Sequence, residues 1–440
     1  MKKSILRVSF GFVLVSYPAL AQKPAPDMGS MPGMTMSGTI GVPMDRNASG
    51  TSWTPDVVPE PAHQWRSAGW ELMLHGFAFA QYNAQGGPRG DSQLGIPNWA
   101  MLMATRDLAG GSLQLRGMLS LDAIGVGASG YPELLQTGES FHGAPLHDRQ
   151  HPHDFFMEVA AMYDRAITLD LAVEVYVAPS GEPALGPPSQ MHRPSAMDIP
   201  MVPIGHHWQD ASHVSFGVAT LGFFTRKWKL EGSIFNGRDP DENRWDFDFN
   251  PLDSYSGRVT FNPDSAWSLS ASFGFLKSPE PSDAGHSMHR LVVSVANGGR
   301  LKSDGHWATM LLWGANAHSD HATLSNSVLA EGEMLVDTKN TVFARAEFVQ
   351  KPADDLEISG FAAGRTFDVG SLTLGYIREL KQSRGITLGL GVLGTVNALP
   401  SALEPAYGSR MPLGAMVFLR LRAADARANG SESMPGMKMP

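Results

Sequence analysis

The chain contains no cysteine. That excludes a disulfide scaffold, a thiolate zinc site, a cysteine nucleophile and a lipid-anchored amino-terminal cysteine. Charge is scarce too. Asp, Glu, Lys and Arg make up 18% of 440 residues, below the usual quarter, which excludes a highly charged disordered chain. The formal net charge of −9 argues against a general binder of nucleic-acid phosphates. Beyond the leader, no stretch approaches the roughly 18 unbroken apolar residues that a membrane helix needs. A membrane barrel passes that test, because its strands alternate faces. What the chain holds in quantity is methionine, with 23 copies, beside 47 glycines and 15 histidines.

Residues 1–21 read as a Sec-type signal peptide. Lys2, Lys3 and Arg7 form the basic end, an apolar stretch follows, and Ala19-Leu20-Ala21 is a small-x-small cleavage site before Gln22. Tyr17-Pro18 breaks the apolar run, so a transmembrane anchor is disfavoured. Export through the inner membrane is expected.

The middle of the chain alternates with a period of two, the mark of strands. Trp267, Leu269, Ala271, Phe273 and Phe275 point one way; Ser268, Ser270, Ser272 and Gly274 point the other. Ile167–Val177, Leu113–Leu121 and Leu413–Arg422 repeat the pattern. About seventeen such runs are expected, beginning near Trp70, Asn98, Ser112, Phe155, Ile167, Val214, Lys227, Tyr255, Ala266, Ser287, His306, Ser327, Thr341, Gly360, Ser371, Gly385 and Pro412. Short links such as Asp164-Arg165, Thr225-Arg226 and Asp368-Val369-Gly370 alternate with long ones. Charge falls on one face (Arg116, Asp170, Glu174, Lys229, Glu231, Arg345, Glu347, Arg420) and apolar bulk on the other.

This pattern points to an all-β fold: a closed antiparallel transmembrane β-barrel in the outer membrane of a Gram-negative cell, its apolar face against lipid. Both ends in the periplasm require an even strand number. The barrel is therefore expected to have about 16 strands, in the range of roughly 14–18. The parity slip is placed near Lys381–Arg384. Residues 22–69 are expected as a flexible Met/Pro/Gly-rich periplasmic segment, 70–422 as the barrel with long loops at 122–154 and 178–213, and 423–440 as a flexible Met-rich tail.

The heptamer SMPGMTM at Ser30–Met36 returns as SMPGMKM at Ser433–Met439. Each copy offers three thioethers: Met31, Met34 and Met36, then Met434, Met437 and Met439. Thioether sulfur is soft and neutral, and suits Cu(I), with Ag(I) as a mimic. Eight histidines (His142, His147, His151, His153, His192, His206, His207 and His213) fall in or beside the two long loops. The run LHDRQHPHD holds His147, His151 and His153, and the next loop holds Met191, Met197 and Met201 beside His206 and His207. Imidazole with carboxylate suits Cu(II) or Zn, and imidazole with thioether suits copper in either state. Two such loops folded into the lumen would meet there. The same run serves equally as a hydrogen-bonded plug, with Arg149 and Asp154 tying the loop to the wall. No nucleophile elbow accompanies it, so an enzyme is not expected.

The exported chain, its early Met28, Met31, Met34, Met36 and Met44, and the barrel behind them resemble the copper-resistance outer-membrane proteins of Gram-negative bacteria. The resemblance implies copper or silver binding, resistance or export, with outer-membrane lipid and periplasmic copper-handling proteins as partners. The alternative is a plugged general porin or structural barrel with incidental tails. The candidate ligands are the six tail methionines together with His147, His151, His153, His206 and His207.

Overall fold

The computed structural model describes residues 38–424, apart from 59, 281–284, 304, 320–323, 363 and 384. The two methionine heptamers, the signal peptide and most of the carboxy-terminal tail lie outside the described residues. No helix among the described residues is long and apolar enough to cross a membrane. Strands dominate instead. In chain order they are β1 (His63–Ser67), β2 (Trp70–Gln85), β3 (Ser92–Gly95), β4 (Asn98–Leu108), β5 (Gly111–Leu119), β6 (Tyr131–Phe141) and β7 (Ala144–Gln150). There follow β8 (Phe156–Ala166), β9 (Ala172–Gly181), β10 (Ser215–Phe224), β11 (Trp228–Phe235), β12 (Ser254–Phe261), β13 (Trp267–Lys277) and β14 (Ser287–Arg300). The last are β15 (His306–His318), β16 (Leu324–Leu335), β17 (Asn340–Pro352), β18 (Thr366–Ser383), β19 (Ile386–Ala398) and β20 (Leu413–Ala423).

Sixteen of these form the wall: β2, β4, β5 and β8 through β20. Each wall strand pairs antiparallel with the next, and β20 closes onto β2 from Phe77↔Arg422 to Gln85↔Gly414. Closure leaves the wall without an open edge, the condition a bilayer imposes on any sheet that spans it. β1 and β3 are short additions to the two ends of β2. β6 and β7 form a separate hairpin.

The alternation read from the sequence sorts the wall's side chains. Leu115, Val175, Leu230, Phe273, Leu374 and Val417 face outward and are exposed, while Arg116, Glu174, Lys229, Glu231, Arg345 and Arg420 face inward and are buried. The expected charged face holds except at Asp170. It lies in the turn after β8, where it meets the exposed Arg226 at 3.3 Å.

Three expected boundaries shift. The run assigned to Ile167 begins its strand only at Ala172, and Asp164-Arg165 belong to β8. Residues 167–171 are the turn, because the Ile167 N–H reaches the Leu171 carbonyl and the Thr168 hydroxyl accepts from Asp170 and Leu171. Asp368-Val369-Gly370 lies within β18, which runs back to Thr366. The run near Gly360 is loop between β17 and β18, and it was the surplus strand. The strand count does not go wrong at Lys381–Arg384, where the slip was expected; β18 carries only a bulge there, between Glu379 and Lys381. A bulge adds one residue and flips the alternation without adding a strand.

The short links, such as Ala109-Gly110 with φ of 49° and 79°, suit the mirror-image two-residue turns that match strand twist. They lie at the end from which the described chain enters and leaves the wall, the periplasmic end in barrels of this kind.

The lumen is filled from both ends. The segment expected to be flexible over 22–69 is instead packed into the wall from about Val42, with Ser49, Thr51, Ser52 and Trp53 buried. Its irregular backbone needs partners, and inward side chains supply them. Arg116 donates to the carbonyls of Ala48 and Gly50, Lys229 to Thr51 at 2.7 Å, Asn262 to Thr54 at 3.0 Å and Ser268 to Trp53 at 3.2 Å. Composition reads low complexity here because these partners lie far away in sequence.

From the other end come the β6–β7 hairpin and the loop over residues 182–214, which is buried almost throughout. Arg193 in that loop pairs with Glu331 of β16 at 2.8 Å, and Asp198 with Arg420 of β20. Removing one partner of such a buried pair costs about 3–5 kcal/mol, because it strands the other charge. Cavities of about 30 Å³ beside Gln114 and Met162, and of about 10 Å³ beside Met201 and Arg345, are what this filling leaves there. They have room for a few waters at most.

Candidate metal centre in the lumen

Two inward loops bring the histidines together. The β6–β7 hairpin returns to the wall through His151-Pro152-His153, an irregular stretch that proline keeps out of the ladder. Short helices are few: α1 (Asp122–Gly125) precedes the hairpin, and the 182–214 loop carries α2 (His206–Gln209) and a 3-10 turn over Ala211–His213. α2 packs against the wall at Gly314. A Cβ there would lie 2.1 Å from the Trp208 carbonyl oxygen, so only glycine admits the helix.

His151, His206 and His207 each place a ring nitrogen within 4.8 Å of the others. Further rings continue the group: His153 lies 5.4 Å from His213, and His213 lies 5.2 Å from His206, centroid to centroid.

The hydrogen bonds set the chemistry of these rings. His206 Nδ1 lies 2.7 Å from Asp210 Oδ1, His213 Nδ1 2.9 Å from the Asp210 carbonyl, and His153 Nδ1 2.8 Å from Asp122 Oδ2. His151 Nδ1 faces the Pro152 carbonyl at 3.2 Å and Glu139 Oε1 at 3.3 Å. All these partners are acceptors, so they assign the proton to Nδ1 and leave Nε2 with its lone pair. This is how metal-binding imidazoles are oriented. Asp210 is itself held by Arg193 at 3.0 Å. His207 Nε2 and His213 Nε2 have no hydrogen-bond partner among the described residues.

Burial pushes the His206 imidazole down to about 4, against the pull of Asp210. Burial pushes His213 down to about 3, with His206 and His153 adding to the shift. Burial and then Arg244 hold His151 well below its ordinary value. These rings are neutral at neutral pH, and no proton must leave before they bind a cation.

His147 is not brought into this group. It is half-exposed on β7 and binds Arg89 at 2.5 Å and Asp148 at 3.0 Å. His153 sits at the edge, its Nδ1 committed to Asp122. The expected tie from Arg149 runs to Asp91 and Gln93 near the rim, and Asp154 is bound instead by Arg244 at 3.2 Å. Arg244 comes from the acidic loop after β11, whose Glu242 accepts from the backbone N–H groups of His142 and Gly143 at the hairpin tip. That loop therefore fastens the hairpin into the barrel.

Two features escaped the sequence reading. One is a lumenal apolar cluster in which Met101, Met103, Met118, Met157, Met191, Met197, Met201 and Met416 pack with Phe77, Trp99 and Phe418. Alternation alone places Met101 and Met103 on the inward face, but nothing in it brings the loop methionines to them. The other is Glu60 with His75 and His192, from three distant segments. His75 shares its inward face with Phe77 and Phe79, the one signal available in sequence.

No family model matches the chain, and no curated protein is similar to it. Solved structures of similar fold include a loop-deletion form of OmpT, an outer membrane protein of Vibrio cholerae. It is 8% identical over 80% of this chain and 99% of that one, with a TM-score of 0.47. An anion-selective porin from Comamonas acidovorans is 13% identical over 80% and 99%, with a TM-score of 0.45. OprB of Pseudomonas putida is 10% identical over 81% and 94%, with a TM-score of 0.46. The closed 16-strand wall and its apolar outer belt make this chain a β-barrel of the Gram-negative outer membrane.

Proposed function

We propose that this barrel handles copper, holding the ion in its lumen rather than passing bulk solute. One observation carries the reading: His151, His206 and His207 from two inward loops each bring a ring nitrogen within 4.8 Å of the others, and His151 and His206 turn Nδ1 to acceptors. His151, His206 and His207 are the ligands, and His153 and His213 lie beside them. Asp210 and Glu139 orient the rings, and Arg193 and Arg244 neutralise those carboxylates. Imidazole ligands suit Cu(II) and tolerate Cu(I), while the thioethers of the two heptamers suit Cu(I) or Ag(I). The heptamers are the capture segments in this reading. Met31, Met34, Met36, Met434, Met437 and Met439 take the ion in the periplasm, from proteins that handle copper there, and the lumenal imidazoles hold it within the wall.

The alternative, a plugged porin or structural barrel, draws on the filled lumen, which serves a plug as well as a metal site. Copper titration of the purified protein separates the two. The expected result is two classes of bound copper: a nitrogen-coordinated class lost in the triple variant His151→Gln/His206→Gln/His207→Gln, and a sulfur-coordinated class lost when both tails are removed. Absence of micromolar or tighter binding, with steady conductance in planar bilayers, would favour the plugged porin.

A further inference from the structure

Glu60, His75 and His192 meet from three parts of the chain that the histidine cluster does not use. Glu60 ends the amino-terminal segment packed in the lumen, His75 points inward from β2, and His192 closes the 3-10 turn Gln190–His192 of the long loop. Glu60 Oε1 lies 2.9 Å from His75 Nδ1 and 3.0 Å from His192 Nδ1. The two rings are 5.4 Å apart, and Trp99 packs against both, at 5.3 Å from His75 and 4.7 Å from His192.

Ordinary hydrogen bonding leaves this group unfinished. Both histidines are buried, with exposures of 3% and 2%. Glu60 makes a well-directed hydrogen bond with His192. His75 Nδ1 meets Glu60 Oε1 off the hydrogen-bond direction, and neither His75 Nε2 nor His192 Nε2 has a hydrogen-bond partner among the described residues. Buried imidazole nitrogens without partners are rare, because each forfeits its hydration with no return. A cation that replaces the Nδ1 protons and sits about 2.1 Å from Glu60 Oε1 and both Nδ1 atoms needs these donors to spread only to the ~3.4 Å spacing of tetrahedral ligands.

We infer that Glu60, His75 and His192 form a second metal site, for a divalent first-row cation such as Zn²⁺ or Cu²⁺, that fastens the amino-terminal segment inside the barrel. Two imidazoles and one carboxylate are a borderline donor set that suits these ions and is poor for Mg²⁺ or Ca²⁺. The site joins segment, wall and loop at one point. A bound ion therefore opposes withdrawal of residues 38–62 by the free energy of its own binding. The inference does not rest on the copper reading of the His151 cluster.

The test is built so that the two sites fail separately. Full-length protein carrying His151→Gln/His206→Gln/His207→Gln is titrated with Zn²⁺ against a chromophoric chelator. One equivalent is expected to remain, weakened more than about tenfold by Glu60→Gln or by His192→Gln. Heat-modifiable migration on gels confirms that each variant keeps a closed barrel. A second readout is trypsin cleavage after the buried Arg46 of the lumenal segment. Zn²⁺ is expected to slow it about tenfold, and Glu60→Gln to abolish that protection. No residual equivalent in the triple variant, an equivalent indifferent to Glu60→Gln, or cleavage unaffected by Zn²⁺ would overturn the inference.

Discussion

At the scale of single residues, the lumen is a set of buried polar groups that hold one another in place. Asp210 illustrates this: its carboxylate takes the Nδ1 side of His206 and the guanidinium of Arg193. Asp210→Asn keeps the shape and removes the charge that orients His206. A loss of about 10–100-fold in copper affinity is expected, read by competition titration, with the barrel's heat-modifiability unchanged. Gly138 makes a second case. Its φ is +119°, and a Cβ there would meet the His207 ring at 2.3 Å. Gly138→Ala is expected to displace His207 and weaken binding, measured in the same titration. At this scale the sequence was legible in residue type and silent on pairing. His151, His206 and His207 could be nominated from a run and a loop. Nothing in the sequence says that His147 turns to Arg89, or that Glu60 meets His75.

At the scale of elements, period two is what made the strands readable. It was read best where both faces had unlike partners, as in β13 and β20. It failed at Ile167, where turn residues happen to continue the alternation, and at Gly360, where a loop does. The long lumenal loops carry no period, so their burial was not legible at all. Their anchoring can still be tested. Gly314→Val puts a branched side chain against the backbone of α2, and is expected to push the 182–214 loop out of place and raise single-channel conductance. On the outer face, Val392→Arg in mid-β19 (Val392 is 47% exposed) sets a charge against the lipid core. It is expected to destabilise the barrel by about 2–4 kcal/mol in urea unfolding from lipid vesicles.

At the scale of the whole molecule, a closed 16-strand wall is filled by its own chain. Four inward arginines (Arg258, Arg290, Arg345 and Arg420) are almost wholly shielded, whereas an open pore would leave such side chains wet. Two plugs share the shielding. Deleting residues 38–62 alone is expected to open conductance only in part, because the 182–214 loop still fills the other half. Removing both segments is expected to raise it further, with only the β6–β7 hairpin left in the lumen. Equal conductance from intact and doubly deleted protein would mean that the lumen is not closed in the membrane. The copper claim itself is tested most directly by anomalous diffraction at the copper edge from crystals of the copper-loaded protein. The expected result is a peak among His151, His206 and His207 that vanishes in the triple glutamine variant. A lumen without a copper peak at those histidines would contradict the account.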